Sequence, residues 1–248
     1  MAPLVDHDRP PTNADIVFYQ TAAGPSYEEM IRVAEPVHRA YCRANHIDYV
    51  VYFGVRRGFY PWQATFNRIE ALHDLLVTDF RGWFLYVDAD AVVRHEGFDI
   101  RRYLGKRDQS ALIAAPAVGA GDARWNINAG IFFLNLGHEL GREIARRWYA
   151  AAHSIVSEQM LRDAVEPWQP LLDGREFPDD QHLLQMELMR DDALSNAMLV
   201  DVEGVINRAA GRFIRQFTRV LGTPEDRLAM LRESVAAVLD QRLPNRSR

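Results

Sequence analysis

The sequence predicts an α/β fold in which helices flank a mostly parallel central sheet. Short apolar segments, typical of buried strands, alternate along the chain with longer segments of helical spacing. The segment at residues 82–88 is apolar on both faces, as expected for a central parallel strand covered by helices. Two acids, Asp88 and Asp90, stand at its end. Because ligands of open α/β sheets bind at the carboxyl ends of strands, these acids mark the expected binding edge.

Each predicted element follows from local composition. Strands are expected where apolar, β-branched and aromatic residues cluster between turn residues. The predicted strands cover residues 15–21, 48–53, 82–88, 111–118, 129–135, 197–202 and 211–217. Helices are expected where apolar residues recur every three or four positions. The predicted helices cover residues 26–46, 62–77, 143–156, 179–189 and 224–240.

Two helix starts have sequence signals of their own. Ser26 with Glu29 three residues later matches a capping box, which predicts that the first helix begins at Ser26. Thr223 followed by Pro224 predicts the start of the last helix, over residues 224–240, because proline suits the first helical position.

Length, charge and cysteine content restrict the protein class. The 248 residues fit one domain at 15–248, after a polar, proline-rich tail at 1–14 that we expect to be disordered and not a signal peptide. The net charge of −5 gives no reason to expect nucleic-acid binding. The single cysteine, Cys42, excludes an intramolecular disulfide. Because no apolar stretch approaches the ~18 residues of a membrane span, we expect a cytoplasmic protein and leave peripheral membrane contact open.

The two acids of residues 88–90 form a D-x-D pair with two interpretations. The simpler one is a solvated strand end with a turn, and a second pair, Asp6 and Asp8, shows that such spacing also arises without function. The functional interpretation rests on the five apolar or aromatic residues that precede Asp88. Carboxylates two residues apart can converge on one hard cation, and Mn²⁺ or Mg²⁺ is usually held by one or two carboxylates plus substrate phosphates. The expected ligand is therefore a metal–diphosphate.

Several stretches, in this order, resemble glycosyltransferases of the GT-A fold that have a D-x-D motif. The likeness is greatest to the retaining galactosyl-, xylosyl- and mannosyltransferase family, and it spans about residues 15–217. The matching stretches are AYCRANHIDYVVY, FNRIEALHDLL, WFLYVDADAVV, NAGIFFLN, PDDQHLL and VIN. The resemblance implies a nucleotide-diphosphate sugar donor, a glycan or glycolipid acceptor, and transfer that retains the anomeric configuration.

The resemblance also implies which residues bind the donor. Asp88 and Asp90 would hold Mn²⁺, or Mg²⁺, against the donor diphosphate. Thr21, at the end of the first strand, would contact the base or ribose. Arg68 would pair with Asp88 or with phosphate. A donor-facing pair opens the strand at 129–135: Asn128 would bond sugar hydroxyls, and Gly130 lets the backbone approach a ligand closely.

A turn after Pro178 supplies the expected catalytic residues. In similar enzymes this turn points at the anomeric carbon, so Gln181 would lie beneath the sugar. Asp180 would bind the sugar or orient the acceptor. The competing interpretation is helix capping, because aspartates at a helix start satisfy free backbone N–H groups.

One departure from the family affects the metal site. The family usually ends with a histidine that completes the site, and here Gln216 takes its place. An amide oxygen binds Mn²⁺ less well than imidazole does. Arg215 and Arg219 either reach the diphosphate or form an exposed basic strand edge.

Three rival functions remain. A haloacid dehalogenase-type phosphatase also has a D-x-D after an apolar strand, but it needs a later lysine, and the only lysine is Lys106. A nucleotidyltransferase would show a glycine-rich basic loop after the first strand, which is missing at residues 21–29. A binding protein that keeps the fold without catalysis is favoured by the missing histidine.

Overall fold

The computed structural model describes residues 15–167, 176–206 and 211–242. The tail predicted at 1–14, with Asp6 and Asp8, and the last residue of the VIN stretch, Asn207, lie outside these ranges. Within them the chain forms an α/β fold with helices on both faces of a mostly parallel sheet, which confirms the predicted fold class.

Seven of the eight strands in the described ranges overlap predicted strands, and the remaining one, Ala91–Val93, was not predicted. The strands are β1 (Ile16–Ala22), β2 (Asp48–Phe53), β3 (Trp83–Val87), β4 (Ala91–Val93), β5 (Leu112–Pro116), β6 (Ile127–Asn135), β7 (Met198–Val200) and β8 (Ile214–Gln216). Six of them form the main sheet in the order β2-β1-β3-β6-β5-β7, and β4 pairs with β8 in a small separate sheet. In the main sheet only β6 runs against its neighbours, antiparallel to β3 and β5.

The helices occupy both faces of the sheet. They are α1 (Pro25–Ala44), α2 (Asn67–Val77), α3 (Ile100–Gly105), α4 (Glu139–Ile155), α5 (Glu158–Asp163), α6 (Asp180–Arg190), α7 (Asp192–Asn196) and α8 (Pro224–Asp240). A 3₁₀ turn, Pro61–Phe66, leads into α2, and another, Arg219–Leu221, precedes α8. No helix in the described ranges has both the length and the apolar character needed to cross a bilayer.

Strand β3 shows why both of its faces are apolar. Leu85 and Val87 point into a core shared with α1 and α8, whereas Phe84 and Tyr86 point into a second core shared with α2, α4 and α6. Side chains of a strand alternate between faces, so a strand between two cores has no polar face. The polar residues of this chain segment therefore begin where the strand ends, at Asp88.

The two predicted helix starts have different outcomes. Thr223 caps α8 as predicted, because its side chain accepts a hydrogen bond from the backbone N–H of Asp226. The prediction that Ser26 caps α1 is wrong, because the helix begins at Pro25 and follows Gly24, which provides no side-chain cap. Proline has the backbone φ of a first helical residue, which extends the helix past the apparent capping box.

Candidate active site

Asp88 and Asp90 differ sharply in exposure. The Asp88 side chain is 29 % exposed and that of Asp90 is 8 % exposed. The backbone N–H of Asp88 donates to the carbonyl of Gly130 at 2.8 Å, which joins the end of β3 to the start of β6. Asp88 thus faces an opening at the carboxyl end of β3, whereas Asp90 lies beneath that opening.

Gly130 is required by packing around Asp88. A Cβ atom added at this glycine would lie 2.7 Å from Asp88 Oδ2 and 2.8 Å from Gln216 Nε2. Contacts that short do not occur for real side chains, so any larger residue would displace these groups. Asn128 shapes the same strand start, since its Oδ1 accepts a hydrogen bond from the Gly130 N–H at 2.7 Å.

Gln216 bridges the two carboxylates. Its Nε2 atom donates to Asp88 Oδ2 at 2.9 Å and to Asp90 Oδ1 at 3.0 Å. Pairing of β4 with β8 sets this position, because it aligns Ala91 with Gln216. The amide oxygen, Oε1, is buried and has no hydrogen-bond partner in the described structure. Turning the amide over would present that oxygen to the space between the carboxylates, where it could bind a cation but would repel the bare acids.

Arg227 of α8 holds Asp90 from the side opposite Gln216. Arg227 Nη1 lies 2.5 Å from Asp90 Oδ2, both side chains are buried, and Nη2 donates to the Tyr27 hydroxyl at 3.0 Å. Burial and the nearby Asp88 charge raise the pKa of Asp90, and Arg227 opposes that shift. The sequence prediction missed this residue. The sequence feature that could have revealed Arg227 is its spacing: it lies four residues before Leu231 and therefore on the apolar stripe of α8.

Arg68 lies among several site groups. Its guanidinium is 3.4 Å from Asp88 Oδ1 and 3.1 Å from Asp180 Oδ2, and it stacks on the Tyr86 ring at 4.0 Å. It also donates to the carbonyl of Ala129. Arg68 is buried. Burial alone would lower its pKa, but the nearby acidic groups, Asp180 first among them, raise it by more, so the guanidinium stays charged. The predicted pairing of Arg68 with Asp88 is therefore present in the structure.

In the turn after Pro178, one aspartate caps the helix and the other faces the site. Asp179 is the helix cap, because its Oδ1 accepts from the His182 N–H at 2.8 Å. Asp180 is buried and points to Arg68. Burial raises the pKa of Asp180 to about 6, although the Arg68 charge acts in the opposite direction.

Gln181 connects α6 to the start of β6. Its Oε1 accepts a hydrogen bond from the Ala129 N–H at 2.9 Å. This bond places Gln181 beside Gly130 and, through it, near Asp88. The structure thus brings three of the segments predicted from the sequence to one place: residues 88–90, 128–130 and 180–181.

Thr21 takes part in the wall of the site. Its hydroxyl donates to the carbonyl of Tyr52 at 3.0 Å and accepts from Asn67 Nδ2 at 2.7 Å, and the residue is buried. These bonds tie the ends of β1 and β2 to the start of α2. The predicted contact of Thr21 with a base or ribose remains a prediction.

A buried polar network supports Asp88 from behind and was not predicted from the sequence. Gln20 Nε2 donates to the Asp88 carbonyl at 3.2 Å, while its Oε1 accepts from His38 Nδ1 and from the Tyr49 hydroxyl. The Val93 N–H donates to His38 Nε2 at 3.2 Å. Burial lowers the pKa of His38 to about 3, which favours the neutral ring. Because Nε2 accepts from the Val93 N–H, the ring proton is assigned to Nδ1, which then donates to Gln20 Oε1.

The basic residues in and after β8, Arg215 and Arg219, do not face the aspartates. Successive side chains of a strand point to opposite faces, so Arg215 points away from the side on which Gln216 meets the aspartates. Its guanidinium lies 4.6 Å from the Phe217 ring centre. Arg219 belongs to the exposed 3₁₀ turn before α8. Lys106, the residue needed for the phosphatase interpretation, follows the end of α3 as its C-cap.

The acidic groups of the site provide oxygen ligands suited to a hard cation. No group of three or more His, Cys, Asp or Glu residues in the described ranges is placed to hold a metal ion. The candidate oxygens are Asp88 Oδ2 and Asp90 Oδ1, which share the Gln216 Nε2 donor, and the unpartnered Gln216 Oε1 of the same amide. When ionised, Asp88, Asp90 and Asp180 outnumber the two guanidinium groups of Arg68 and Arg227 by one charge. A diphosphate would add negative charge, so a cation favours its binding here.

Comparison with known proteins identifies the fold. No protein-family model and no curated protein sequence matches the chain. Among solved structures, it is similar to a glycosyltransferase involved in the glycosylation of the major capsid of PBCV-1, with TM-score 0.60 and 14 % identity over 88 % of this chain and 98 % of that one. It is also similar to the glycosyltransferase GlyE of Streptococcus pneumoniae TIGR4, with TM-score 0.50 and 14 % identity over 95 % of this chain and 66 % of that one. The protein therefore has the GT-A-type fold predicted from its sequence.

Proposed function

We propose that the protein is a glycosyltransferase that moves a sugar from a nucleotide-diphosphate sugar to a glycan or lipid-linked acceptor. The observation that carries this proposal is the convergence of residues 88–90, 128–130 and 180–181 at one edge of the sheet. The similar solved structures are glycosyltransferases, which supports the same chemistry. A cytoplasmic location and peripheral membrane contact remain predictions.

The metal proposed for this site is Mn²⁺ or Mg²⁺. Asp88, Asp90 and the Gln216 amide oxygen would hold it, and the amide must turn over to do so. When bound, the cation neutralises the diphosphate and stabilises it as a leaving group. Two carboxylates and one amide form a weaker set than a site that includes imidazole, so we expect readily reversible metal binding.

Donor contacts are assigned to the rim of the same opening. Asn128 and Gly130 lie at the start of β6, beside Asp88, where a sugar would approach. The space that a Gly130 side chain would need is taken by Asp88 and Gln216, so the glycine lets these two groups sit against the strand instead of leaving room for the ligand. Arg68 is occupied by Asp88 and Asp180, so its proposed role is to orient those carboxylates. Thr21 would act from the wall of the site, through the backbone geometry that it fixes.

Transfer is proposed to retain the anomeric configuration. The bond from the anomeric carbon to the diphosphate breaks, a bond to the acceptor oxygen forms on the same face, and the leaving phosphate oxygen takes the acceptor proton. Gln181 is the proposed group nearest the short-lived oxocarbenium ion. Its side chain is held by the Ala129 N–H, which restricts its orientation before reaction. Asp180 would bind the sugar or orient the acceptor.

The test is hydrolysis and transfer with a panel of nucleotide sugars, each with and without Mn²⁺ or Mg²⁺. We expect at least one sugar to be released in a metal-dependent reaction that Asp88→Asn abolishes. Absence of metal-dependent turnover across the panel, together with absence of nucleotide binding, would reject the proposal. NMR of the product from an α-linked donor tests stereochemistry, and a β-linked product would contradict retention.

The phosphatase alternative is not favoured by the GT-A-type fold. It makes a separate prediction, because a dehalogenase-type enzyme depends on its lysine. Lys106→Ala should leave turnover near the wild-type value. A large loss of phosphate release from a phosphomonoester in that variant would restore this alternative.

A further inference from the structure

A cavity lies between the small β4–β8 sheet and α8. It is a groove of about 580 Å³, and its basic side is formed by Arg94, His95, Arg212 and Arg215. Strand β8 lines the groove through Arg215, whose neighbour Gln216 faces the aspartates. Because neighbouring strand residues point to opposite faces, the groove and the donor site lie on different faces of β8.

Strand pairing brings the arginines together. Val92 is paired with Arg215, and the Arg94 N–H donates to the Phe213 carbonyl at 2.8 Å, which continues the ladder by one more residue. Arg94 stands two residues after Val92 and therefore shares the face on which Arg215 lies. Like charges on the same face of paired strands destabilise a sheet unless an opposite charge joins them.

The described structure does not provide that opposite charge. Neither Arg94 nor Arg215 forms an ion pair with a carboxylate in the described ranges, and Arg212 pairs only with the exposed Glu203, at 3.2 Å. Glu233 of α8 also lines the groove, but no ion pair joins it to any of these arginines.

Arg215 has a further unsatisfied group. Its Nε atom is buried and has no hydrogen-bond partner in the described residues, while the Phe217 ring holds the guanidinium at 4.6 Å. A buried donor without an acceptor costs free energy that a bound oxyanion would recover.

We propose that this groove is a second binding site, distinct from the donor site, for a phosphate-bearing ligand. Arginine presents a planar set of donors that matches phosphate oxygens, and two such groups here face a concave surface. The opposite wall includes the apolar side chains of Met230 and Val238, which suits a ligand whose phosphate is attached to an uncharged portion. A soluble phosphate ester and the headgroup of an anionic phospholipid share this chemistry.

The test uses the full chain in a buffer with EDTA, so that no divalent cation recruits phosphate to the aspartates. One experiment titrates inorganic phosphate by calorimetry. The other sediments the protein with phosphatidylcholine vesicles, with or without phosphatidylglycerol. The groove variant combines Arg94→Gln with Arg215→Gln. Its matched control, Arg146→Gln with Arg162→Gln, removes the same charge from exposed arginines of α4 and α5.

We expect wild type and the control to bind at least one probe, and the groove variant to bind it at least about tenfold more weakly. Loss confined to phosphate identifies a soluble ligand, and loss confined to phosphatidylglycerol vesicles identifies a lipid headgroup. Equal binding by the groove variant, or no binding of either probe by wild type, would overturn the site.

The donor site provides an independent control. Asp88→Asn should bind the phosphate probes as wild type does, whatever the outcome for glycosyl transfer. A change of binding in Asp88→Asn, in either direction, would link the phosphate probes to the donor site and would contradict a separate site. Arg215→Lys should show intermediate binding, because it keeps the charge but loses the paired donors.

Discussion

The surroundings of the two D-x-D aspartates differ although the residues are two positions apart. Asp88 lies at an opening, where Arg68, Tyr86 and Gln216 contact it and its side chain is 29 % exposed. Asp90 is enclosed, with Gln216 on one oxygen and Arg227 on the other. The two residues therefore differ in access: Asp88 is open to a ligand as it stands, whereas Asp90 would reach a cation only through Oδ1, after the Gln216 amide turns over. Substitutions that alter one of these two surroundings at a time test the difference.

The enclosed side should contribute most to stability. We expect Arg227→Met to lower the free energy of unfolding by about 3–5 kcal/mol, because it leaves the buried Asp90 carboxylate without its positively charged partner. Urea unfolding measures the change. The control is Arg232→Met on the same helix, where the ion pair with Glu29 is exposed and its loss should cost less than about 1 kcal/mol. Equal effects of the two substitutions would show that the Asp90 environment is not specially dependent on its cation.

Asp180 should make the stability of the protein depend on pH. Its pKa is raised to about 6 in the folded protein, from an ordinary value near 3.8, so the folded state holds the proton more tightly than the unfolded state does. Stability from this group is therefore highest below about pH 4 and falls as pH rises to about 6, by up to about 3 kcal/mol. The stability of wild type minus that of Asp180→Asn, measured across this range, isolates the group. A difference that is constant or rises with pH would contradict the assignment.

The open side should be sensitive to added volume. Gly130→Ala places a Cβ atom 2.7 Å from Asp88 Oδ2, so the carboxylate or Gln216 must move. We expect metal-dependent binding of a nucleoside diphosphate to weaken by about tenfold, with a stability loss of about 1–3 kcal/mol. Gly105→Ala is the control, since its Cβ would have no neighbour within 4 Å. Unchanged binding in Gly130→Ala would mean that the ligand does not use this geometry.

Gln181 tests the catalytic part of the open side. If its amide acts mainly in the transition state, Gln181→Ala should lower kcat by about tenfold and change the donor KM little. Gln185→Ala, one turn later on α6, removes a similar amide that bonds to the Ile127 carbonyl at 2.8 Å, and should leave kcat near wild type. A raised donor KM with unchanged kcat in Gln181→Ala would remove it from the catalytic residues.

Sequence patterns predicted the fold and the accessible half of the site better than the enclosed half. The apolar run before Asp88 and the strand at residues 129–135 were visible because burial imposes composition. The reversed direction of β6 was not, since an apolar strand has the same composition in either direction. Arg227 was missed because its role depends on α8 packing against the turn between β3 and β4 that contains Asp90, a contact between residues 137 positions apart.

The central claim is that Asp88 and Asp90 bind a metal–nucleotide diphosphate. Calorimetric titration of nucleoside diphosphates, with and without Mn²⁺, tests it most directly in wild type, Asp88→Asn and Asp90→Asn. The matched control is Asp6→Asn with Asp8→Asn, which removes the other D-x-D pair of the chain. We predict metal-dependent binding by wild type and by the control, and none by the Asp88 or Asp90 variants while they remain folded. Undiminished metal-dependent binding in both site variants would contradict the account.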